Sequence, residues 1–237
     1  VSAADEPKIL VLDTSGRVGQ VASAVGARIL ASRQLDEARR HARDLAPTVA
    51  DLLKERNWRP GDLSAIIVSK GPGSYTGLRV GLMSAKALAY ATGCALIGVE
   101  TFAVIALQTP ADALSVEVIG DAQQDKVYVQ AFRRPGLGDA PQPASVLGIH
   151  RLSDWLAQRD PQAWLTGPGL AIYGARLPES VQRVAEDLWA PRVDTLLTLG
   201  LERYRRGERD DLWAAEPIYG RPSAAEEKWQ ARGDSIG

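Results

Sequence analysis

The sequence predicts an α/β protein built as two lobes, and three observations carry that reading. At 237 residues the chain has the length of one large domain or two small lobes. Apolar strand-type runs alternate with segments of helical period along its length. One figure also occurs twice. The apolar run 9–12 leads into Asp13, a polar turn and a return strand, and the apolar run 116–119 leads through Gly120 into Asp121, a polar turn over 123–126 and a return strand over 127–132. Asp13 and Asp121 occupy equivalent places in the two copies. Between them Thr109-Pro110-Ala111-Asp112 breaks the pattern. The expected division is therefore an N-terminal lobe over 1–110, a C-terminal lobe over 111–216 and an extended tail over 217–237.

The elements follow in order. Residues 9–12 form a short strand ending at Asp13-Thr14-Ser15-Gly16, a turn signal. Residues 18–25 read as its return strand, Gly26-Ala27 as a tight turn and 29–35 as a third antiparallel strand. After the polar stretch 36–43, Leu45, Val49, Leu52 and Leu53 recur at helical spacing. Asp44 is placed to cap that helix, Pro47 falls in its first turn, and it should stop near Asn57. Residues 65–69 read as a buried strand running into a Gly-rich turn. A long helix over 77–91 follows, closed by Gly93. Residues 95–99 are a strand and 101–107 a helix. In the second half, the Pro- and Gly-rich stretch 133–144 is a loop and 152–158 begins a helix. Trp164-Leu165-Thr166 is a strand entering the turn Gly167-Pro168-Gly169. Residues 193–206 are helical, with Leu196, Leu197, Leu199, Gly200 and Leu201 turned inward.

Composition narrows the function. Lys and Arg total 28 against 29 Asp and Glu, a net charge of −1, so the chain lacks the basic excess of a protein that grips nucleic acid alone. The single cysteine, Cys94, excludes an internal disulfide and a CxxC knuckle, favours a reducing compartment, and is expected to behave as a small buried hydrophobe. The two histidines, His41 and His150, are far apart, so no helix carries a two-His metal site. His41 is expected on the surface. No apolar run approaches the ~18 residues of a membrane span, and residues 1–8 contain no signal-type run, so the expected location is cytoplasmic. Trp155, Trp164, Trp189, Trp213 and Trp229 are expected mostly in the core. Arg203, Arg205, Arg206 and Arg209, mixed with Glu208, Asp210 and Asp211, read as a solvated face.

Three groups of residues carry chemistry. The first is Gly71, Pro72, Gly73, Ser74, Tyr75, Thr76 and Gly77, with Arg79 just beyond, lying between a buried strand and a helix. Free N–H groups and the helix dipole could hold an anion there. It is no Walker loop, having no lysine at the required place, and no dinucleotide fingerprint, having Thr76 where glycine is needed. A rigid strand-to-helix turn capped by Ser74 or Thr76 is the favoured reading. The second group is Asp13, Thr14 and Ser15, where an Asx turn is favoured over a metal-water or phosphate site, and Asp121 is read likewise. The third is the helix after the Gly-rich turn. Gly77, Gly81, Ala85 and Ala89 recur every fourth residue and share one face. Such a face lets another backbone approach closely, either the chain's own sheet or a partner's helix. Packing on the chain's own sheet is the commoner arrangement, and Leu78, Leu82 and Met83, which make the helix apolar on more than one side, raise the expectation of a partner.

The run Ile-Leu-Val-Leu-Asp13-Thr-Ser and the undecapeptide Gly71-Pro-Gly-Ser-Tyr-Thr-Gly-Leu-Arg-Val-Gly81 closely resemble the TsaB (YeaZ) family of tRNA threonylcarbamoyladenosine biosynthesis proteins. Supporting matches follow in the family's order: Gly98-Val-Glu-Thr, Asp121 with Val127-Tyr128, Thr166-Gly-Pro-Gly169, and Pro217-Ile-Tyr219 followed by Arg221. The resemblance implies a two-lobed fold of the actin, sugar-kinase and Hsp70 type, a duplicated ribonuclease H-like unit. It implies a non-catalytic subunit that binds and supports TsaD, the catalytic relative, in threonylcarbamoylation of adenosine 37 of tRNA. TsaD holds its metal with an HxxxH pair that this sequence lacks. The ATPase TsaE is implied as a further partner, self-pairing as the state of the chain alone, and tRNA as a ligand only through the complex. ATP, ADP and metal would belong to the complex, leaving this chain no cofactor of its own and Asp13, Thr14 and Ser15 as a relic nucleotide site. The implied partner interface falls on Leu78, Gly81, Leu82, Ala85 and Ala89, and less surely on the helix over 44–56. The rival readings are an ATP-dependent small-molecule kinase of the same superfold and a glycoprotease-like (M22) peptidase.

Overall fold

The computed structural model describes residues 6–35 and 43–220. His41, Arg221, Trp229 and the tail beyond Gly220 lie outside the described residues. The first sheet takes β1 (Lys8–Asp13), β2 (Gln20–Val25) and β3 (Arg28–Gln34), an antiparallel meander, and adds β4 (Ala65–Gly71) and β5 (Ala95–Glu100) in parallel on the other side of β1. Its order is β3-β2-β1-β4-β5. The opening meander pairs as the sequence leads one to expect. β1 and β4 are apolar along nearly their whole length because both of their faces are covered.

One face of this sheet is covered by α1 (Leu45–Glu55) and α2 (Tyr75–Thr92), whose Leu45, Leu52, Leu53, Leu82, Ala85 and Ala89 join Leu10, Leu12, Ile66 and Val68. α2 begins two residues earlier than the spacing suggests, because Ser74 caps it: its Oγ accepts the Gly77 N–H at 3.2 Å. It ends on Gly93, which is left-handed at φ 73° and returns its N–H to Ala89.

The inner face of α2 corrects the interface expectation. Leu78, Gly81, Leu82, Ala85 and Ala89 are all buried within this chain. The physical reason is a close crossing over the first hairpin. Thr14 Oγ1 donates to the Gly77 carbonyl at 2.7 Å, and a Cβ built on Gly81 would run into that same Thr14 hydroxyl. The fourth-residue rhythm of small side chains therefore admits the chain's own backbone. It leaves a different stripe outside, with Met83 59% and Tyr90 70% exposed.

The second sheet repeats the plan on a smaller scale. β6 (Ser115–Asp121) and β7 (Lys126–Arg133) are antiparallel, and two short strands, β8 (Gln142–Pro143) and β9 (Gly148–Arg151), pair with β7. After α4 (Leu152–Gln158), β10 (Trp164–Thr166) runs parallel to β6, as β4 runs parallel to β1. A four-residue helix, α5 (Leu170–Tyr173), follows the Gly-rich turn. β9 and α5 were not legible, being too short to show a period. Between the sheets lies α3 (Thr101–Leu107). Its Val104 belongs to the first core, while Phe102, Ile105 and Ala106 pack with Val116, Val118, Tyr128 and Phe132 of the second.

The expected lobe boundary at residue 216 is corrected by α6 (Val193–Arg205). This helix returns to the first sheet and buries Val193, Leu196, Leu197 and Leu201 against Ile9, Val11, Ile67 and Val99. Gly200 sets the closeness of that contact, since a Cβ there would overlap Ile67. From α6 the chain runs back over the first lobe as a strap. The Asp210 N–H donates to Leu96 O at 2.9 Å, and the Asp210 carboxylate accepts the Gly98 N–H. Arg203, expected in a solvated face, is instead half-buried and pairs with Glu208 at 2.7 Å and Asp210 at 3.4 Å. Lys86 of α2 donates to Ala215 O at 3.0 Å, and Ile218 N donates to Lys70 O at 2.6 Å.

Of the tryptophans, Trp155 is buried and Trp164 and Trp189 are half-buried against the second core, but Trp213 is 79% exposed on the strap. Cys94 is half-buried beside the Thr92 hydroxyl, and burial pushes its thiol pKa up. His150 is exposed on β9. No described helix is long and apolar enough to cross a membrane.

Candidate functional site

Parallel strands deliver their carboxyl ends to one edge, and ligands of α/β folds collect there. In the first sheet β1, β4 and β5 end at Asp13, Gly71 and Glu100. In the second, β6 and β10 end at Asp121 and Thr166. The two edges face each other across a cleft of about 1090 Å³, lined among others by Asp13, Pro72, Ser74, Thr101, Asp121 and Pro168. The structure thus brings together the first hairpin, the Gly-rich turn and the second hairpin, which the sequence kept apart.

The two aspartates share one local geometry. Asp13 Oδ1 accepts the Ser15 N–H at 3.0 Å, and Asp121 Oδ1 accepts the Gln123 N–H at 2.7 Å, an Asx turn in each copy. Their surroundings then diverge. Asp13 is only 1% exposed, and the same Oδ1 takes the Ser15 and Ser69 hydroxyls at 2.7 and 2.5 Å. Ser69, on the neighbouring strand, is a partner that sequence reading missed, because nothing local marks a cross-strand donor. Asp121 is exposed and accepts the Tyr173 hydroxyl at 2.7 Å. Burial, then the Asp121 carboxylate, pushes the Tyr173 phenol well above its ordinary pKa, so it stays a donor. Beyond Asp121 the turn is tight, with Gln123, Gln124 and Asp125 all left-handed at φ 60°, 52° and 59°.

The Gly-rich turn is folded down on the first hairpin. Ser74 N donates to Ser15 O at 2.8 Å, and a Cβ on Gly73 would collide with that same carbonyl. Gly71 is left-handed at φ 111°, with Ile218 O against it. The end of the strap closes the turn from the other side. The Tyr219 ring stacks on Tyr75 at 4.3 Å, and Tyr128 of the second lobe donates its hydroxyl to Tyr219 O at 2.7 Å. Arg79 lies over Tyr75, 5.7 Å from the ring centroid, and donates to its hydroxyl at 3.3 Å.

The resemblance implies Asp13, Thr14 and Ser15 as the relic of a site for a magnesium nucleotide. They do not fit it. The Asp13 Oδ1 is committed to three protein donors, and the Thr14 hydroxyl is spent on Gly77. Among the described residues, no group of three or more His, Cys, Asp or Glu is disposed to hold a metal ion.

The two sheets, the repeated Asx turns and the cleft between strand ends define a two-lobed α/β protein, the architecture that the family resemblance leads one to expect. Comparison with known proteins gives the family. Residues 28–151 match the family model described as TsaD, tRNA N6-adenosine threonylcarbamoyltransferase. The TsaB biosynthesis protein of Bacillus subtilis is 28% identical over 229 residues, covering 93% of this chain and 97% of its own. That of Escherichia coli is 27% identical over 228 residues, with the same coverage. The solved structure of YeaZ from Pseudomonas aeruginosa superposes with a TM-score of 0.76 at 27% identity, covering 90% of this chain and 99% of its own. The chain belongs to the family that this model describes and, within it, to the TsaB/YeaZ group of tRNA threonylcarbamoyladenosine biosynthesis proteins.

Proposed function

We propose that this chain is the non-catalytic subunit that binds and supports TsaD in threonylcarbamoylation of adenosine 37 of tRNA, and that it docks through the outer face of α2. The observation that carries the reading is an apolar surface left exposed among the described residues. Met83 and Tyr90 stand out from α2, and Trp213 on the strap meets Tyr90 edge-on at 5.8 Å between ring centroids. Lys86 ties strap and helix together beneath them. Met, Tyr and Trp are residues enriched at interface centres. The full-length relatives from two bacteria, both named for the same biosynthesis, support the pathway. The family resemblance supports TsaD as the partner, TsaE as a further member of the complex, and self-pairing through the same face when TsaD is absent. ATP, ADP and metal are assigned to the complex, and tRNA is met only through it. Reconstitution tests this reading. TsaD from the same organism, given TsaE, the activated substrate and a tRNA transcript, should form the modified nucleoside much faster with this chain present. An equal rate without the chain would refute it.

A further inference from the structure

We propose that the end of the strap is an interlobe latch, and that its release lets the two lobes part about a hinge on the opposite face of the first sheet. The inference is independent of the docking reading. Within the described residues the chain passes from the first lobe to the second after α3 and returns before α6. Gln108, at the end of α3, ties the two crossings together. Its Nε2 donates to Leu188 O at 3.2 Å and to Ala190 O at 2.8 Å, and its Oε1 accepts the Arg192 N–H at 2.8 Å. α3 and α6 both pack on the face of the first sheet that carries Ile9, Val11 and Ile67. Both covalent joins therefore leave the first lobe from that face.

The strap runs over the other face. Its Leu212 and Ala215 pack with the cluster of Leu10, Leu12 and Leu82, on the side of α1 and α2. Its end then touches both lobes at once. In the first lobe, Ile218 N donates to Lys70 O at 2.6 Å, and the Tyr219 ring stacks on Tyr75 at 4.3 Å. In the second, Tyr128 donates its hydroxyl to Tyr219 O at 2.7 Å. Gly220, left-handed at φ 67°, lies so near the Tyr128 ring that a Cβ there would overlap it. Tyr75, Tyr128 and Tyr219 all line the cleft, so this bridge crosses it. A join on one face of the sheet alone leaves the lobes a rotation about that join; a second join on the opposite face stops it. The latch is also built to open. Residues 211–220 form no helix or strand. Segments held by isolated hydrogen bonds and exposed contacts detach at a small part of the cost of unfolding the molecule.

The test measures the distance between spin labels on Gln34→Cys and Ile172→Cys in the full chain. Both positions are exposed, and they line the cleft from the first and the second lobe. Cys94→Ala removes the native thiol from this background. Tyr128→Phe deletes the hydroxyl that joins the lobes and keeps the ring. In that variant the label distance should gain a longer population. The Ile218 amide should exchange about tenfold faster, while the amides of β1 and β4 keep their protection. Tyr219→Ala, which removes the stack on Tyr75, should also populate the longer distance. Tyr173→Phe is the control, because that hydroxyl bonds Asp121 and the Lys126 carbonyl within the second lobe. Its distance distribution should match the parent's. Distances unchanged in both latch variants, an equal shift in Tyr173→Phe, or faster Ile218 exchange with no change in distance would each overturn the proposal.

Discussion

Gly81 shows how far one residue's meaning depends on what stands opposite it. Its place in a small-residue rhythm suits a partner's helix or the chain's own hairpin equally well, and only the position of Thr14 decides. Gly81→Val should therefore lower stability by about 3 kcal/mol, since Thr14 is itself fixed to the Gly77 carbonyl and cannot retreat. Urea unfolding measures this, and a midpoint equal to the parent's would return the face to the interface. Asp13 was legible as a turn residue, and a turn bond alone is worth about 1 kcal/mol. The Ser69 hydroxyl, 56 residues along the chain, could not be read from spacing, and it raises the expected cost. Asp13→Ala should lose about 2–3 kcal/mol, because it leaves buried donors of Ser15 and Ser69 unanswered.

Glu117, buried on β6, gives a pH signature. Burial raises its carboxyl pKa above the ordinary 4.5, against the pull of Arg159, whose Nε lies 3.6 Å from Oε2. A raised carboxyl favours the folded state while protonated. That contribution is complete below pH 4.5 and fades as pH rises through the higher folded value. The stability of the parent minus that of Glu117→Gln should accordingly fall as the pH is raised from 4 towards neutrality, as measured by denaturation at each pH. A difference that stays flat or rises would show that Arg159 outweighs burial.

Elements were legible in proportion to their length and to how locally their partners lie. The meander of β1 to β3, β4, the long α2 and the repeated hairpin were all readable, because period and turn chemistry are short-range properties. β9 and α5, of four residues each, fall below any period. The destination of α6 was invisible for a different reason. Its inward leucines mark it as packed, but only tertiary structure says that it packs on the first sheet. The strap beyond it carries no local signal of its destination, yet Asp210 and Arg203 bind it to the edge of β5. Asp210→Ala should speed exchange of the Gly98 amide hydrogen by about tenfold or more while the core amides of β1 and β4 keep their protection. Unchanged exchange at Gly98 would mean that the strap is held elsewhere.

At the scale of the whole molecule, duplication explains the architecture, and divergence between the copies explains its use. Each half supplies a strand, an aspartate turn and a return strand, and their ends meet at one cleft. Among the described residues only the first half carries a helix as long as α2, and that helix has two faces with separate tasks. The inner one, small and close, secures the fold. The outer one, with Met83, Tyr90 and the neighbouring Trp213, is the proposed seat of TsaD. The most direct measurement compares Met83→Asp with the parent on a sizing column in the presence of TsaD from the same organism. A charge stranded at the centre of an apolar contact should weaken association about a hundredfold, whereas on an exposed surface it should leave the melting temperature unchanged. The account predicts a parent that co-elutes with TsaD and an equally stable variant that elutes alone; a stable variant that co-elutes as the parent does would contradict it.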